Sequence, residues 1–300
     1  MTAGLDTKQL AATAVVRDKW RRRGLQTFLA VTALVWLTPL LWAVYTSLRP
    51  FSETAERGYV SVGGAYNFDN YTQAWTDAEM FKFFINTMWI TIPSVILILF
   101  FASMAAFALS RFSFKFHLQL LMIFTAGNLL PQQVIITPLY RMFLILPLPD
   151  FLSPSGIFYD SYFGIITIHV AFQMGFATFV LSNYMKALPG DLNEAAFVDG
   201  ASVWRQYWNI ILPLTRPPLA ALAVLMFTWI YNDFFWALVL MVTGDQRPIT
   251  SALQNLNGTF FVNNNLVAAG SLLAAVPTLI VFVILQRQFV AGLTLGSTKG

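Results

Sequence analysis

Few side chains in this sequence are able to move a proton, attack a bond or hold a metal, and most of its length is apolar. Asp233, next to Asn232, is the one acid inside a long apolar stretch. A charge at the centre of a bilayer costs about 2.5–3.5 kcal/mol on insertion scales, so such a residue faces protein or water. Two placements satisfy that rule. Asp233 lines a pathway or braces a neighbouring subunit, or it lies near the outer interface, eleven residues before Gly244, and is partly hydrated. His169 stands alone in another apolar stretch, beside Gln173. No second histidine or acid accompanies it at metal-ligand spacing, so a helix–helix hydrogen bond is its expected role and no metal site is expected. With no cysteine, thiol chemistry, disulfides and cysteine-ligated metals are excluded. No compact nucleophile–base pair is visible, which argues against an enzyme. The phosphate-cradling pattern G-x-x-x-x-G-K-[ST] is missing too; Gly296-Ser297-Thr298-Lys299-Gly300 has similar ingredients in the wrong order.

The elements that must position these residues are membrane helices. Hydrophobic residues make up 57% of the chain and charged ones 11%, against about a quarter charged in soluble domains. Charge-poor stretches cover 25–48, 83–110, 118–140, 161–185 and 217–244, and a last one narrows to 266–286. A bilayer-spanning helix needs about 20 mostly apolar residues, so six crossings are expected. Orientation follows from lysine and arginine, which favour the cytoplasmic side. Thirteen of them, including Arg17, Lys19, Arg111, Lys186, Arg205, Arg216 and Arg287, fall on one side, and five fall on the other. Both termini are therefore expected in the cytoplasm. The pI near 9.4 expresses that bias and implies no nucleic-acid partner. The division of the chain is then an N-terminal tail over 1–24, a six-helix body over 25–290 and a C-terminal tail over 291–300. Pro39, Pro93, Pro131, Pro138 and Pro277 mark most spans. They suit kinked helices around a pathway, and equally reflect the ordinary abundance of proline in membrane helices.

Between the fourth and fifth spans, residues 186–216 form a polar, glycine-punctuated loop. Asp191 precedes Glu194 by three residues, as in a capping box, and predicts a short helix over 192–199. Gly200 suits the left-handed residue that closes a helix. Ser202 predicts the cap of a second helix over 203–212, stopped by Pro213, with Trp204, Tyr207 and Trp208 at headgroup level. The small residues Ala195, Ala196, Gly200 and Ala201 allow another backbone to approach closely. Local physics alone leaves Glu194 and Gly200 equally well explained as a cap and a turn.

Glu194, Ala195 and Ala196, then Gly200 after three residues, then Ile210, Leu212 and Pro213 after nine more, match E-A-A-x(3)-G-x(9)-I-x-L-P in full. That pattern resembles the signature loop of permease subunits in binding-protein-dependent ABC importers, specifically the smaller subunit of maltose-type sugar permeases. Pro131-Gln132-Gln133-Val134, Thr137 to Tyr140, Tyr231-Asn232-Asp233-Phe234 with Trp236, and the ending from Gln288 onward are similar to the same family. The resemblance implies an all-α integral membrane fold of six transmembrane helices, the type I ABC importer permease fold, with a cytoplasmic coupling helix. It implies that Glu194, Ala195, Ala196, Asp199, Gly200, Ala201, Ile210, Leu212 and Pro213 couple the chain to an ATPase. It implies as partners a second homologous permease, a dimeric cytoplasmic ATPase that uses ATP and Mg, and an extracytoplasmic solute-binding protein, all working in the bacterial inner membrane. The chain itself binds no cofactor under this reading.

A secondary transporter would show inverted repeats and midplane charges; the sequence has no evident repeat and only Asp233. Sugar recognition needs amides for hydroxyls and aromatic faces for the ring. Asn128, Gln132, Gln173, Asn232 and Asp233 are the candidate pathway residues for a sugar, polyol or glycerol-derived solute. The outer segments 49–82 and 146–162 are long enough to dock a soluble lobe.

Overall fold

The computed structural model describes residues 7–127, 131–256 and 262–294, and its described residues are mostly helical. In chain order the helices are α1 (Thr7–Ser47), α2 (Phe51–Arg57), α3 (Asp69–Asp77), α4 (Met80–Arg111), α5 (His117–Gly127), α6 (Gln132–Ile145) and α7 (Tyr162–Ala187). They continue with α8 (Asp191–Val198), α9 (Val203–Gln206), a π-turn (Tyr207–Ile211), α10 (Leu212–Leu214), α11 (Arg216–Tyr231), α12 (Phe235–Leu240), α13 (Ile249–Ala252) and α14 (Asn264–Thr294).

Four helices are long and apolar enough to cross a bilayer unaided: α1 from Lys19, α4, α7 and α14 to Gln286. The other two expected crossings are broken. Helices α5 and α6 meet at 93°; α11 leaves the preceding segment Val203–Leu214 at 73°, and the apolar stretch after it is interrupted at Asn232, resuming as α12 at Phe235. Pro39, Pro93, Pro138 and Pro277 all lie inside helices that continue through them, whereas Pro131 stands at the α5–α6 break as the cap of α6.

The bundle centres on α4 against α7. The buried face of α4 carries Ser94, Ala102, Ser103 and Ala106, and that of α7 carries Gly175, Ala177, Thr178 and Ser182. Between lipid-immersed helices no hydrophobic force favours association, so close packing of small residues supplies the attraction. On α4, Thr87 donates to the Phe83 carbonyl and Ser94 to that of Ile90, which removes the cost of two unpaired donors, whereas the buried hydroxyls of Thr178 and Ser182 on α7 have no hydrogen-bond partner. Gly164 is required at the head of α7, where an added Cβ would collide with the Phe158 carbonyl.

Helix α1 packs on α14 and leaves its apolar length uncovered; none of its membrane window is buried. Its C-terminal carbonyls are capped from elsewhere. Asn70 of α3 donates to the carbonyls of Ser47 and Arg49, and Asn265 of α14 donates to those of Thr46 and Arg49. Arg49 is fully buried and ties down the loop after α2 through the Ser61 hydroxyl at 2.8 Å and the carbonyls of Ser61 and Gly58. The segment between α6 and α7 is anchored as well. Asp160, in the left-handed region at φ 57°, accepts from Val242 N, Thr243 N and the Thr243 hydroxyl beyond α12.

Candidate functional site

The break in the fifth span opens into a cavity of about 710 Å³. Its polar side is formed by Gln132 at the start of α6, His169 and Gln173 on α7, and Asn232 and Asp233 in the break. Its other wall is aromatic: Phe172 and Phe176 on α7, Trp229 on α11, and Trp236 on α12. Phe172 and Trp236 lie 5.5 Å apart, as do Phe176 and Trp229, so the rings form two tilted pairs. Four of the five residues expected to line a pathway thus meet in one cavity, although they come from three separate spans. The fifth, Asn128, lies outside the described residues.

The two isolated ionisable residues of the sequence turn out to be neighbours. His169 Nε2 is 3.8 Å from Asp233 Oδ2, beyond hydrogen-bond reach. Asp233 tolerates its setting because the break frees backbone N–H groups: those of Phe235, Trp236 and Ala237 are directed at its carboxylate. The unwound carbonyls are satisfied too. Thr250 donates to the Asp233 carbonyl at 2.7 Å, and the Asn232 amide donates back to that of Thr228. Among the described residues no cluster of histidines and acids could hold a metal ion.

The loop after α7 is a second compact assembly. Helix α8 begins one residue earlier than expected, and the capping box does not form: Asp191 is already helical, and Gly190 occupies the cap position without a side-chain bond. Asp191 and Glu194 instead sit in the first turn, where their charges complement the helix dipole. The far end closes as expected. Gly200 has φ 73°, its N–H reaches the Phe197 carbonyl at 3.0 Å, and Ala201 N–H reaches that of Ala196 at 2.9 Å, the paired bonds of a Schellman ending.

Ser202 caps α9 by accepting from Arg205 N–H. The expected helix over 203–212 is corrected in two ways. Its middle widens into the π-turn, where Leu212 N–H reaches back five residues to Tyr207, and Pro213 lies inside α10 rather than stopping it. Proline's ring clashes with the carbonyl four residues before it, and a wide turn absorbs that clash. Tyr207 faces inward: it is 2% exposed and 2.7 Å from the Ser103 hydroxyl, while Trp204 and Trp208 remain exposed.

Gln206 locks the two helices of the loop together. It accepts from the Asn193 amide on α8 at 3.1 Å and donates to the Ala201 carbonyl at 3.0 Å. On the outside of α8, Phe197 is 77% and Val198 84% exposed. Ile210 and Leu212 face inward and pack on the bundle core. A cleft of about 770 Å³ between the two helices is lined by Asp191, Ala195, Ala196, Asp199, Ala201 and Ile210, among others.

The family model described as binding-protein-dependent transport system inner membrane component matches residues 98–294, a range that includes both the cavity and the loop. The chain belongs to that family. It is accordingly a multi-pass permease of the inner membrane and not an enzyme. It is 31% identical to the arabinooligosaccharides transport system permease protein AraQ of Halalkalibacterium halodurans, over 90% of this chain and 94% of that one. It is 27% identical to the diacetylchitobiose uptake system permease protein NgcG of Streptomyces coelicolor, over 97% and 93%. Among solved structures, a bacterial ABC transporter that imports the acidic polysaccharide alginate shares its fold, with a TM-score of 0.75 at 21% identity over 91% of this chain and 98% of that one. The all-α architecture with broken spans is thus that of an ABC importer permease.

Sequence reasoning missed several residues of this permease. Phe197 and Val198 passed unremarked because exposure of an apolar side chain on a short helix is invisible without the fold. Gln206 has no motif of its own. The pairing of His169 with Asp233 spans 64 positions, and only their shared isolation in apolar sequence hinted at it.

Proposed function

We propose that this permease moves a carbohydrate, or a related polyol or glycerol-derived solute, through the cavity at the broken fifth span. Cargo arrives on an extracytoplasmic binding protein, and a second homologous permease forms the other half of the pathway. A dimeric cytoplasmic ATPase, using ATP and Mg, supplies the force, and both termini of this chain lie on its side of the membrane. Glu194, Ala195, Ala196, Asp199, Gly200 and Ala201 form the coupling element, with Ile210, Leu212 and Pro213 anchoring it to the bundle. Gln132, Gln173, Asn232 and Asp233 offer hydrogen bonds to hydroxyls as cargo passes, and the aromatic wall takes the C–H faces of a sugar ring.

One observation carries this reading: α8 is a short rod closed by its Schellman ending, clipped to α9 through Gln206, and bare of cover at Phe197 and Val198. A rod so held transmits displacement as a rigid body, and its uncovered apolar end calls for a partner. Two relatives named for sugar cargo support the solute class. The test is Glu194→Lys in the reconstituted transporter. Uptake and ATPase stimulation should fall while membrane insertion stays normal, and the unaltered chain should copurify with an ATPase and a second permease. Uptake at the original rate in the variant, or a purified chain that transports alone without nucleotide, would refute the proposal.

A further inference from the structure

The lining of the cavity is one-sided in charge. Asp233 is the sole carboxylate among its described lining residues, and no lysine or arginine is there to balance it. Residues 128–130, outside the described part of the chain, are Asn, Leu and Leu and bring no charge of either sign. The carboxylate is held by the N–H groups at the start of α12, with the His169 imidazole on α7 3.8 Å away. Both side chains line the cavity, and the acid, with 15% of its surface exposed against 5% for the imidazole, is the more open of the two.

A fixed charge in such a partly dry space acts through an effective dielectric near 20 rather than 80, so its field on a passing solute is several-fold stronger than in bulk water. Salt screens it weakly there. We propose that Asp233 sets the charge class of the cargo: the cavity admits neutral polyhydroxylated solutes and turns away acidic ones. This rests on the cavity being the pathway, as proposed above. The amides of Gln132, Gln173 and Asn232 pair with hydroxyls of a neutral sugar or polyol, whereas the carboxylate or phosphate of a sugar acid meets a like charge with no cation to offset it. The shared fold with an alginate importer does not conflict with this, because cargo class belongs to the lining side chains and not to the fold.

The chain's lack of cysteine gives a direct test. Gln173→Cys supplies one thiol in this subunit, facing the cavity. The complete transporter, reconstituted with its partner subunits in liposomes, is treated at pH 8 with methanethiosulfonate reagents bearing either a trimethylammonium or a sulfonate group. Labelling of this chain is followed by mass spectrometry, and each rate is divided by that of free 2-mercaptoethanol. The normalised cationic rate should exceed the anionic one at least about tenfold. Adding Asp233→Asn should remove that preference, and Asp233→Glu should retain it. A normalised ratio near or below one with Asp233 intact overturns the charge assignment while leaving the pathway reading in place. A ratio unchanged by Asp233→Asn does the same. A thiol at position 173 that neither reagent reaches at any stage of the ATPase cycle overturns the pathway reading itself, and this inference with it.

Discussion

Gly200 offers the sharpest perturbation of the coupling loop. Its φ of 73° lies in the left-handed region, and a Cβ built there would meet no heavy atom within 4 Å. The cost of a side chain in the free subunit is therefore conformational and not steric. For an ordinary L-residue it is about 1–2 kcal/mol, larger for a β-branched one and smaller for asparagine, which visits this region readily. That strain opposes the two bonds, from Gly200 and Ala201 N–H, that close α8. Roughly 1–2 kcal/mol changes the ratio of closed to frayed ends by about 5–30-fold. Gly200→Asn should thus retain most uptake and ATPase stimulation in proteoliposomes, Gly200→Ala should lose an intermediate share, and Gly200→Val should lose the most, all with normal assembly. Asparagine and valine are similar in bulk, so the series separates backbone strain from a clash with the docked ATPase. Equal activity across the three variants would refute the role of the closed ending. Equal loss in Asn and Val would assign the effect to contact rather than conformation.

Two further outcomes follow from the same loop. Truncating the bare apolar end of α8 with Phe197→Ala plus Val198→Ala removes side chains each worth about 1.5–3 kcal/mol when fully buried; pull-down of the ATPase should weaken by tenfold or more while the permease pair stays together, and unchanged recovery of the ATPase would count against docking at this end. Gln206→Ala strands the Asn193 amide and the Ala201 carbonyl at a cost of about 1–3 kcal/mol; more ATP should then be consumed per solute moved, and an unaltered ratio would show that the clip is not needed for coupling.

The sequence made four crossings plain because each is an apolar stretch of bilayer length without interruption. It could not announce the breaks, since hydropathy records how apolar a segment is and not which way the chain runs: 118–140 reads as continuous although α5 and α6 turn through 93°. In the loop, Gly200 was legible because a positive φ selects glycine, and Ser202 because caps select hydroxyls. Asp191 misled because an acid suits both the cap position and the first turn, and the backbone chose the latter. Tyr207 misled for a different reason: an aromatic ring with a hydroxyl suits headgroup level and a packed interior alike, and here the hydroxyl finds buried Ser103.

The breaks themselves explain why polar side chains gather where they do. Within a bilayer, backbone that leaves the helix must find partners in protein or water, so interruption is tolerated only beside a packed or wet interior. Here the interruption at Asn232–Phe234 is satisfied from three directions: Asp233 takes up N–H groups of α12, Thr250 serves the Asp233 carbonyl, and Asn232 returns to that of Thr228. Gln132 stands just past the α5–α6 break and lines the same cavity. Two kinked spans thus bring amides and one carboxylate to a common space, while the straight α7 between them contributes His169 and Gln173 on a single face, four residues apart. A bundle of six uninterrupted helices would have had to carry those groups as isolated polar side chains, each at full desolvation cost. Unwinding the chain at Asn232–Phe234 converts that cost, for Asn232 and Asp233, into hydrogen bonds with freed backbone, which is how so apolar a protein keeps a carboxylate within the bundle.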